Sequence, residues 1–93
     1  MKRELGDYQG AIDDYSQIIE INPNHPYAYS NRARVKLKLG DYQGAIYDYS
    51  KSIEIDPNNH FAYQFRADVK RQSGDNEGAD EDDRKAEKLK NIF

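Results

Sequence analysis

The chain repeats one segment at a constant offset of 34 residues. Gly6-Asp-Tyr-Gln-Gly-Ala-Ile12 returns as Gly40-Asp-Tyr-Gln-Gly-Ala-Ile46, and an altered version returns at 74–80. Between 6–23 and 40–57, 14 of 18 positions are identical. A fixed period of this length is typical of solenoids, in which each unit packs mainly on its neighbours and the stack presents one long surface. The period therefore favours binding over catalysis as the function.

Within each period, apolar residues recur at steps of three and four, which is the pattern of an amphipathic helix. Asn22-Pro23 ends the first run, because proline cannot extend a helix, and Pro26 is a favourable first residue for the next. Each Gly-Asp pair is predicted to be a tight connection, with Gly at positive φ ending one helix and Asp capping the next. The predicted helices are 8–21, 26–39, one between Asp41 and Asp56, 59–73 and 76–91, with half a helix at 1–5.

Small residues also follow the period. Alanine recurs at two places, which predicts close helix crossings with no room for a larger side chain. These residues are Ala11, Ala45 and Ala79 at one place and Ala33 and Ala67 at the other. Gly10 and Gly44 lie inside predicted helices at a cost of about 1 kcal/mol each relative to Ala, which indicates a close neighbour there too.

The period and the residues in it resemble the tetratricopeptide repeat, whose unit is two antiparallel helices. The middle unit carries the family pattern at Tyr29, Ala33, Gly40, Tyr42, Ala45, Tyr49 and Pro57. The last unit departs from it, with Asn76 and Asp83 in place of two aromatics and Asn91 in place of Pro. The resemblance implies an all-α fold of antiparallel helix-turn-helix repeats stacked as a right-handed α-solenoid. It also implies a single domain, 1–93, made of a partial repeat 1–25, a repeat 26–59 and a terminal repeat 60–93.

Charged residues are ordered along the last predicted helix. Acids crowd its beginning and bases fill its end, which suits the helix dipole and predicts Asp80–Arg84 and Glu81–Lys85 pairs on a solvated, polar cap. The acids do not alternate as in a calcium loop. A second group, Arg32, Arg34, Lys36 and Lys38, is interpreted as a solvated face or as part of a peptide groove.

Several function classes have no support in the sequence. The chain has no cysteine, and neither His25 nor His60 has a partner at ligand spacing, so both are assigned structural or solvent roles and no metal or cofactor is expected. No catalytic motif is present, and an enzyme is not predicted. With 17 acidic and 14 basic residues there is no basic stripe for nucleic acid, and no apolar run is long enough for a membrane span.

Two further expectations concern the cellular compartment and the ends of the chain. The absence of a signal peptide and of cysteine favours the cytoplasm. A chain that begins halfway through a repeat suggests a piece of a longer protein.

The resemblance implies that the first helices of successive repeats line a concave face that binds a peptide or protein partner. The candidate residues are Tyr27, Ser30, Asn31, Arg34 and Lys38 on one helix and Phe61, Gln64, Phe65, Asp68 and Gln72 on the next. Phe61 and Phe65 stand one turn apart and Tyr27 matches Phe61, which predicts an apolar ledge for an extended or helical peptide. The alternative is that both Phe side chains join the core or contact a neighbouring molecule in a crystal.

One branch of the family holds the C-terminal tails of chaperones in a clamp of Lys, Asn and Arg. Asn31 matches the central Asn of that clamp, but Phe61 and Phe65 stand where its Lys and Arg would be. An acidic chaperone tail is therefore not predicted as the ligand.

The predicted function is that of a protein–protein interaction scaffold without a cofactor. The alternative is a structural segment that self-associates as a homo-oligomer, by stacking or helix exchange, through an uncovered apolar face of helix 8–21. The sequence leaves the partner and the pathway open.

Overall fold

The computed structural model describes residues 5–92, with side chains from Asp7 onward. It contains five helices: α1 (Leu5–Ile21), α2 (Pro26–Lys38), α3 (Tyr42–Ile55), α4 (His60–Gln72) and α5 (Asn76–Ile92). No strand occurs in this range. The predicted bounds differ from the observed ones by one residue at several helix ends, which is the usual uncertainty of helix boundaries.

Each helix packs on its neighbours in sequence, from α1 against α2 through to α4 against α5. Among residues 5–92, no helices further apart in sequence share a contact of similar extent. A short connection joins α2 and α3 into one antiparallel hairpin, and another joins α4 and α5 into a second. Helix α1 packs against α2. The described chain measures 38 × 29 × 22 Å along its principal axes. The all-α solenoid of helix pairs predicted from the period is confirmed.

Two of the three Gly-Asp connections form as predicted. Gly40 has φ 82° and Gly74 has φ 100°, in the left-handed region that an L side chain resists. Each following Asp accepts a hydrogen bond at 2.9 Å from the backbone N–H three residues on, as Asp41 does from Gly44. These bonds satisfy an otherwise unpaired donor in the first turn of α3 and of α5.

The first Gly-Asp pair behaves differently. Because α1 begins at Leu5, Gly6 and Asp7 belong to its first turn, and the predicted connection and helix start at residue 8 are wrong. The predicted half-helix at 1–5 lies outside the described residues except for Leu5, which is part of α1.

The core follows the small residues of the period. Ala33, Ala45, Ala67 and Ala79 are fully buried, which confirms the predicted close crossings at these places. One cluster joins Ala33, Ala45, Tyr49 and Val69 across three helices, and a second joins Ile53, Ala62, Tyr63, Ala86 and Leu89. The fifth predicted alanine, Ala11, is only half-buried.

The helical glycines do not mark close contacts with a second helix. A Cβ at Gly10 would have no atom within 4 Å, so the predicted close neighbour is wrong at this position. A Cβ at Gly44 would collide with the carboxylate of Asp41, the N-cap of the same helix. The close neighbour of Gly44 is thus its own cap, and no second helix makes the nearest contact.

Candidate functional site

An open groove lies between α2 and α4 and has a volume of about 770 Å³. Six of the ten predicted partner-binding residues line it: Tyr27, Ser30, Asn31 and Arg34 from α2, and Phe61 and Phe65 from α4. The sequence reasoning missed other lining residues, which are Tyr49, Asp56, Asn58, Asn59, His60 and Ala62. Four of these six, Asp56, Asn58, Asn59 and His60, lie in or directly after the connection from α3 to α4, and their signal in the sequence was the polar run just before Phe61.

A row of four rings, formed by His60, Phe61, Phe65 and Tyr49, runs along one wall of the groove. The ring centroids of His60 and Phe61 are 4.2 Å apart, those of Phe61 and Phe65 6.5 Å, and those of Phe65 and Tyr49 5.9 Å. Tyr49 is fully buried, whereas Phe61 is 55 % exposed. The ring row therefore rises from the core at Tyr49 to solvent at Phe61.

The start of α4 fixes the upper end of the ring row. Asn59 caps the helix by accepting a hydrogen bond from the backbone N–H of Phe61 at 3.0 Å. This places Phe61 in the first turn and Phe65 one turn later on the same face. Tyr27, 61 % exposed, holds the matching place in the first turn of α2. Phe61 and Tyr27 are thus outside the core, contrary to the alternative that the sequence left open for Phe61.

The groove also carries polar groups. Arg34 donates from Nη2 to Asn31 Oδ1 at 3.3 Å on the α2 side. Burial raises the pKa of Tyr49, while the charge of Arg34 lowers that pKa and the charge of Asp68 raises it, so the phenol stays neutral at physiological pH. Nδ1 of His60 is buried and has no hydrogen-bond partner among the described residues.

The other four predicted residues lie outside the groove. Lys38 lines a second recess of about 240 Å³ between α1 and α2, together with Asn31 and Arg34. Gln64, Asp68 and Gln72 line neither recess. Asp68 is exposed, with its carboxylate 4.0 Å from Arg71. The structure therefore brings six of the ten predicted residues together around one groove and leaves Lys38, Gln64, Asp68 and Gln72 outside it.

Arg32 and Lys36 are not part of a solvated face, so that interpretation is wrong for both. The guanidinium of Arg32 donates twice to Asp48 of α3, from Nε to Oδ2 and from Nη2 to Oδ1, each at 2.8 Å. Lys36 Nζ lies 3.1 Å from Asp48 Oδ2, and the Asp48 side chain is completely buried. Arg32 Nη1 donates to Ser16 Oγ of α1 at 2.9 Å. The guanidinium of Arg32 on α2 thus forms hydrogen bonds with both neighbouring helices, α1 and α3.

The same arrangement recurs one period later. Arg66 donates twice to Asp82 at 2.8 Å and once to Ser50 at 3.0 Å, and Lys70 Nζ lies 3.1 Å from Asp82. Burial raises the pKa of Asp82, but the hydrogen bonds and charges of Arg66 and Lys70 outweigh it and hold this pKa below its usual value. The hydrogen bond to Asp82 in turn raises the pKa of Arg66, against the effect of burial. Asp82 is therefore a buried carboxylate, which corrects its assignment to a solvated surface.

The predicted pairs along α5 do not form among the described residues. Asp80 and Asp83 are instead bound by Arg71 of α4, at 3.2 and 2.8 Å. Both carboxylates reach across the hairpin, so the first half of α5 is attached to α4 by charge as well as by its buried alanines.

The groups considered for other chemistry have simple roles. His25 is the N-cap of α2 and accepts a hydrogen bond from the backbone N–H of Ala28 at 3.2 Å, which confirms a structural role. Among residues 5–92, no group of three or more His, Cys, Asp or Glu side chains is placed to hold a metal ion. None of the helices in this range has the length and apolar character needed to cross a membrane.

Solved structures share this arrangement over nearly the whole chain. The crystal structure of MamA superposes with a TM-score of 0.90 at 28 % identity, covering 92 % of this chain and 50 % of MamA. The first TPR of Spaghetti (RPAP3), bound to the HSP90 peptide SRMEEVD, superposes with a TM-score of 0.85 at 25 % identity, covering 90 % of this chain and 67 % of that one. The TPR2B domain of yeast Sti1 in its pHsp70 complex gives 0.86 at 32 % identity, covering 90 % and 67 %.

This chain thus spans about half the length of MamA. No curated protein sequence is similar enough to it to count as a relative. The tetratricopeptide repeat profile matches residues 26–59, and a second TPR repeat profile matches residues 1–40. Together with the stacked helix hairpins and their 34-residue period, these matches show that the chain belongs to the tetratricopeptide repeat family.

Proposed function

We propose that the chain is a non-catalytic interaction scaffold that binds a peptide segment of a partner protein in the groove between α2 and α4. The observation that carries this proposal is the exposure of Phe61 and Tyr27, each more than half open to solvent, beside one groove. Contiguous exposed aromatic surface is uncommon on soluble proteins and marks binding sites. An incoming apolar side chain would remove these rings from water.

The lining of the groove indicates the chemistry of the ligand. The ring row offers an apolar wall, while Asn31 and Arg34 offer hydrogen-bond donors on the α2 side. A large apolar side chain flanked by backbone or side-chain acceptors fits this combination, as in other peptide grooves.

The related structures support a peptide as the class of ligand. The TPRs of Spaghetti are bound to the HSP90 peptide SRMEEVD, and TPR2B of Sti1 is in complex with pHsp70. The groove of this chain is less cationic than a site for acidic tails requires, because Arg34 is the one Arg or Lys among the residues that line it. We therefore expect apolar residues to dominate recognition and SRMEEVD to bind weakly.

The test is a selection of peptides from a displayed random library on the wild-type chain, followed by measurement of Kd by calorimetry. Removing both rings with Phe61→Ala/Phe65→Ala should weaken the selected peptides by about 30-fold or more, because buried aromatic anchors carry most of the energy of such interfaces. Circular dichroism should show unchanged helicity, since Phe61 and Phe65 are both partly exposed.

Tyr47→Ala is the matched control. Tyr47 is an aromatic residue on α3 that is 58 % exposed and does not line the groove. Its loss should leave the affinity unchanged. Selected peptides that bind the double Phe variant as tightly as the wild type would show that the groove is not the site. SRMEEVD binding more tightly than the selected peptides would refute apolar recognition.

A further inference from the structure

The two helices that line the groove are capped by different side chains at the same place in the period. His25 is the N-cap of α2, and Asn59, 34 residues later, is the N-cap of α4. Nδ1 of His25 accepts a hydrogen bond from the backbone N–H of Ala28 at 3.2 Å, and Oδ1 of Asn59 accepts one from that of Phe61 at 3.0 Å. An imidazole changes its charge between pH 5 and pH 8, whereas a carboxamide does not. Acid therefore acts on one cap and not on the other.

The cap on α2 requires the neutral imidazole. Because Nδ1 is the acceptor, the proton of the neutral ring is assigned to Nε2. Protonation adds an N–H at Nδ1, which can then no longer accept, and the N–H of Ala28, a residue only 2 % exposed, loses its partner. The new positive charge also lies at the N-terminus of a helix, where the macrodipole opposes it. The first turn of α2 has no acidic residue that would offset this charge.

The helices packed on α2 supply no compensating carboxylate among residues 7–92. The charged residues at this end of α1 and α3 are Glu20, Lys51, Glu54 and Asp56. Lys51 and Glu54 pair with each other at 3.4 Å. Within the described part of the chain, no carboxylate oxygen comes within 4.0 Å of a ring nitrogen of His25. The ring of His25 instead meets Tyr27 edge to face, at a centroid distance of 6.3 Å.

Tyr27 connects this cap to the groove. It lies in the first turn of α2, directly after Pro26, is 61 % exposed and lines the groove together with Phe61. A first turn without its cap frays, because the backbone N–H groups at a helix start have no partner within the helix. Fraying removes Tyr27 from its place on the α2 side, while Asn59 keeps Phe61 in place on the α4 side.

We propose that His25 makes ligand binding in the groove depend on pH, because the neutral imidazole holds Tyr27 in place for the ligand and protonation releases it. Regulation by His25 rests on the proposed function, since it acts through the same groove. The neutral form is the one that caps α2, so the cap and the affinity are present at about pH 7.5 and decline as the pH falls.

The first test follows the cap without any ligand. Amide resonances of the full chain are recorded by NMR between about pH 7.5 and pH 5.5. The Ala28 amide proton should move upfield, as expected when a hydrogen bond is lost, in step with the titration of the His25 ring. In His25→Asn the carboxamide can cap α2 at every pH, as Asn59 caps α4, and the Ala28 resonance should stay constant. An Ala28 resonance in the wild type that ignores the titration of His25 would overturn the proposal.

The second test measures Kd at both pH values by calorimetry. The probe is a selected peptide without His that binds the wild type and loses affinity in Phe61→Ala/Phe65→Ala. The wild type should bind this peptide about threefold or more weakly at pH 5.5, which corresponds to the loss of a typical helix cap, and His25→Asn should bind it equally at both pH values.

His60 provides the matched control, because it lines the groove and is the other residue of its type in the chain. In His60→Gln the ratio of the two Kd values should equal that of the wild type. Equal ratios in the wild type and His25→Asn, or a ratio that disappears in His60→Gln, would overturn regulation by His25 and leave the groove as the binding site. If no selected peptide lost affinity in Phe61→Ala/Phe65→Ala, the proposed function and the regulation that rests on it would fail together, while the Ala28 resonance would still report on the cap.

Discussion

Arg32 on α2 and Asp48 on α3 form a two-pronged pair, with both N–H···O distances at 2.8 Å and the Asp48 side chain completely removed from solvent. Arg66 and Asp82 repeat this pair one period later with the same distances. A paired, hydrogen-bonded carboxylate can remain ionised in a helix interface, whereas an unpaired one is expelled or neutralised. Each pair lies inside one hairpin, and the third donor nitrogen of each Arg reaches the helix before it.

Removing Asp48 should therefore be costly. Asp48→Ala leaves Arg32 and Lys36 facing an apolar interface without their carboxylate. We expect a loss of about 2–4 kcal/mol in the free energy of unfolding, somewhat below a fully buried pair because both cations keep some exposure. Urea titration of the variant measures this loss.

Glu54→Ala provides the control on the same helix. Its carboxylate is 68 % exposed and lies 3.4 Å from Lys51, so its loss should change the free energy of unfolding by less than about 0.5 kcal/mol. If Asp48→Ala and Glu54→Ala shifted the urea midpoint equally, the buried network would not stabilise the α2–α3 hairpin.

Because the pKa of Asp82 is depressed in the folded chain, the free energy of unfolding should depend on pH in the acidic range. Its pKa is lower in the folded chain than the usual value of 3.8, so the pair with Arg66 and Lys70 contributes fully above about pH 3.8. That contribution disappears as the pH falls from there through the folded pKa, because protonation removes the charge. Asp82→Asn should thus be less stable than the wild type at pH 6, and this difference should shrink below pH 3.8.

Chemical unfolding of both chains between pH 2.5 and pH 7 measures the difference directly. A stability difference that stays constant over this range would mean that Asp82 is not held ionised by its two cations.

The repeat period allowed the helices and their order to be predicted, but not every connection. Gly6-Asp7 and Gly40-Asp41 begin two identical heptapeptides, yet only the second is a turn. Local sequence cannot decide between these states, because a turn at Gly40 also depends on α2 packing back on α3. The sequence predicted those groove residues that occupy a known position on a helix, such as Phe61. It did not predict His60, whose place in the groove depends on the path of the connection from α3 to α4.

The sequence analysis missed the buried ion pairs because it assigned the charged side chains to the solvent-exposed surface on the basis of their charge alone. The signal was present in the offset: Arg32 and Lys36 recur 34 residues later as Arg66 and Lys70, whereas Arg34 is replaced by Asp68. A charge that keeps its identity through the period has a fixed partner in the repeat, and one that varies is free to face a groove. To identify which carboxylate is that partner, one needs the geometry with which the two helices cross, and the sequence does not specify this geometry.

The close packing at Ala45 can be tested by comparison with Ala11, which holds the same place one period earlier in the sequence. Ala45→Leu should lower the free energy of unfolding by about 1–3 kcal/mol, because the site is completely buried between helices. Ala11→Leu at the same place in the period should cost clearly less, since Ala11 is half-buried and lines the open recess between α1 and α2. Denaturant titration of the two variants gives the comparison, and equal losses would mean that burial by a covering helix is not what limits the side chain.

Two helical glycines in identical pentapeptide surroundings should respond differently to alanine. Gly10→Ala has open space around the new Cβ and should stabilise the chain by about 0.5–1 kcal/mol through the higher helix propensity of Ala. At Gly44 the new Cβ would meet the Asp41 carboxylate and break its 2.9 Å cap hydrogen bond, a loss of about 1 kcal/mol that cancels the gain in propensity. Thermal unfolding should show a higher Tm for Gly10→Ala and little or no increase for Gly44→Ala. An equal increase in both would mean that the Asp41 cap does not contribute to stability, and that Gly44 is not needed to make room for it.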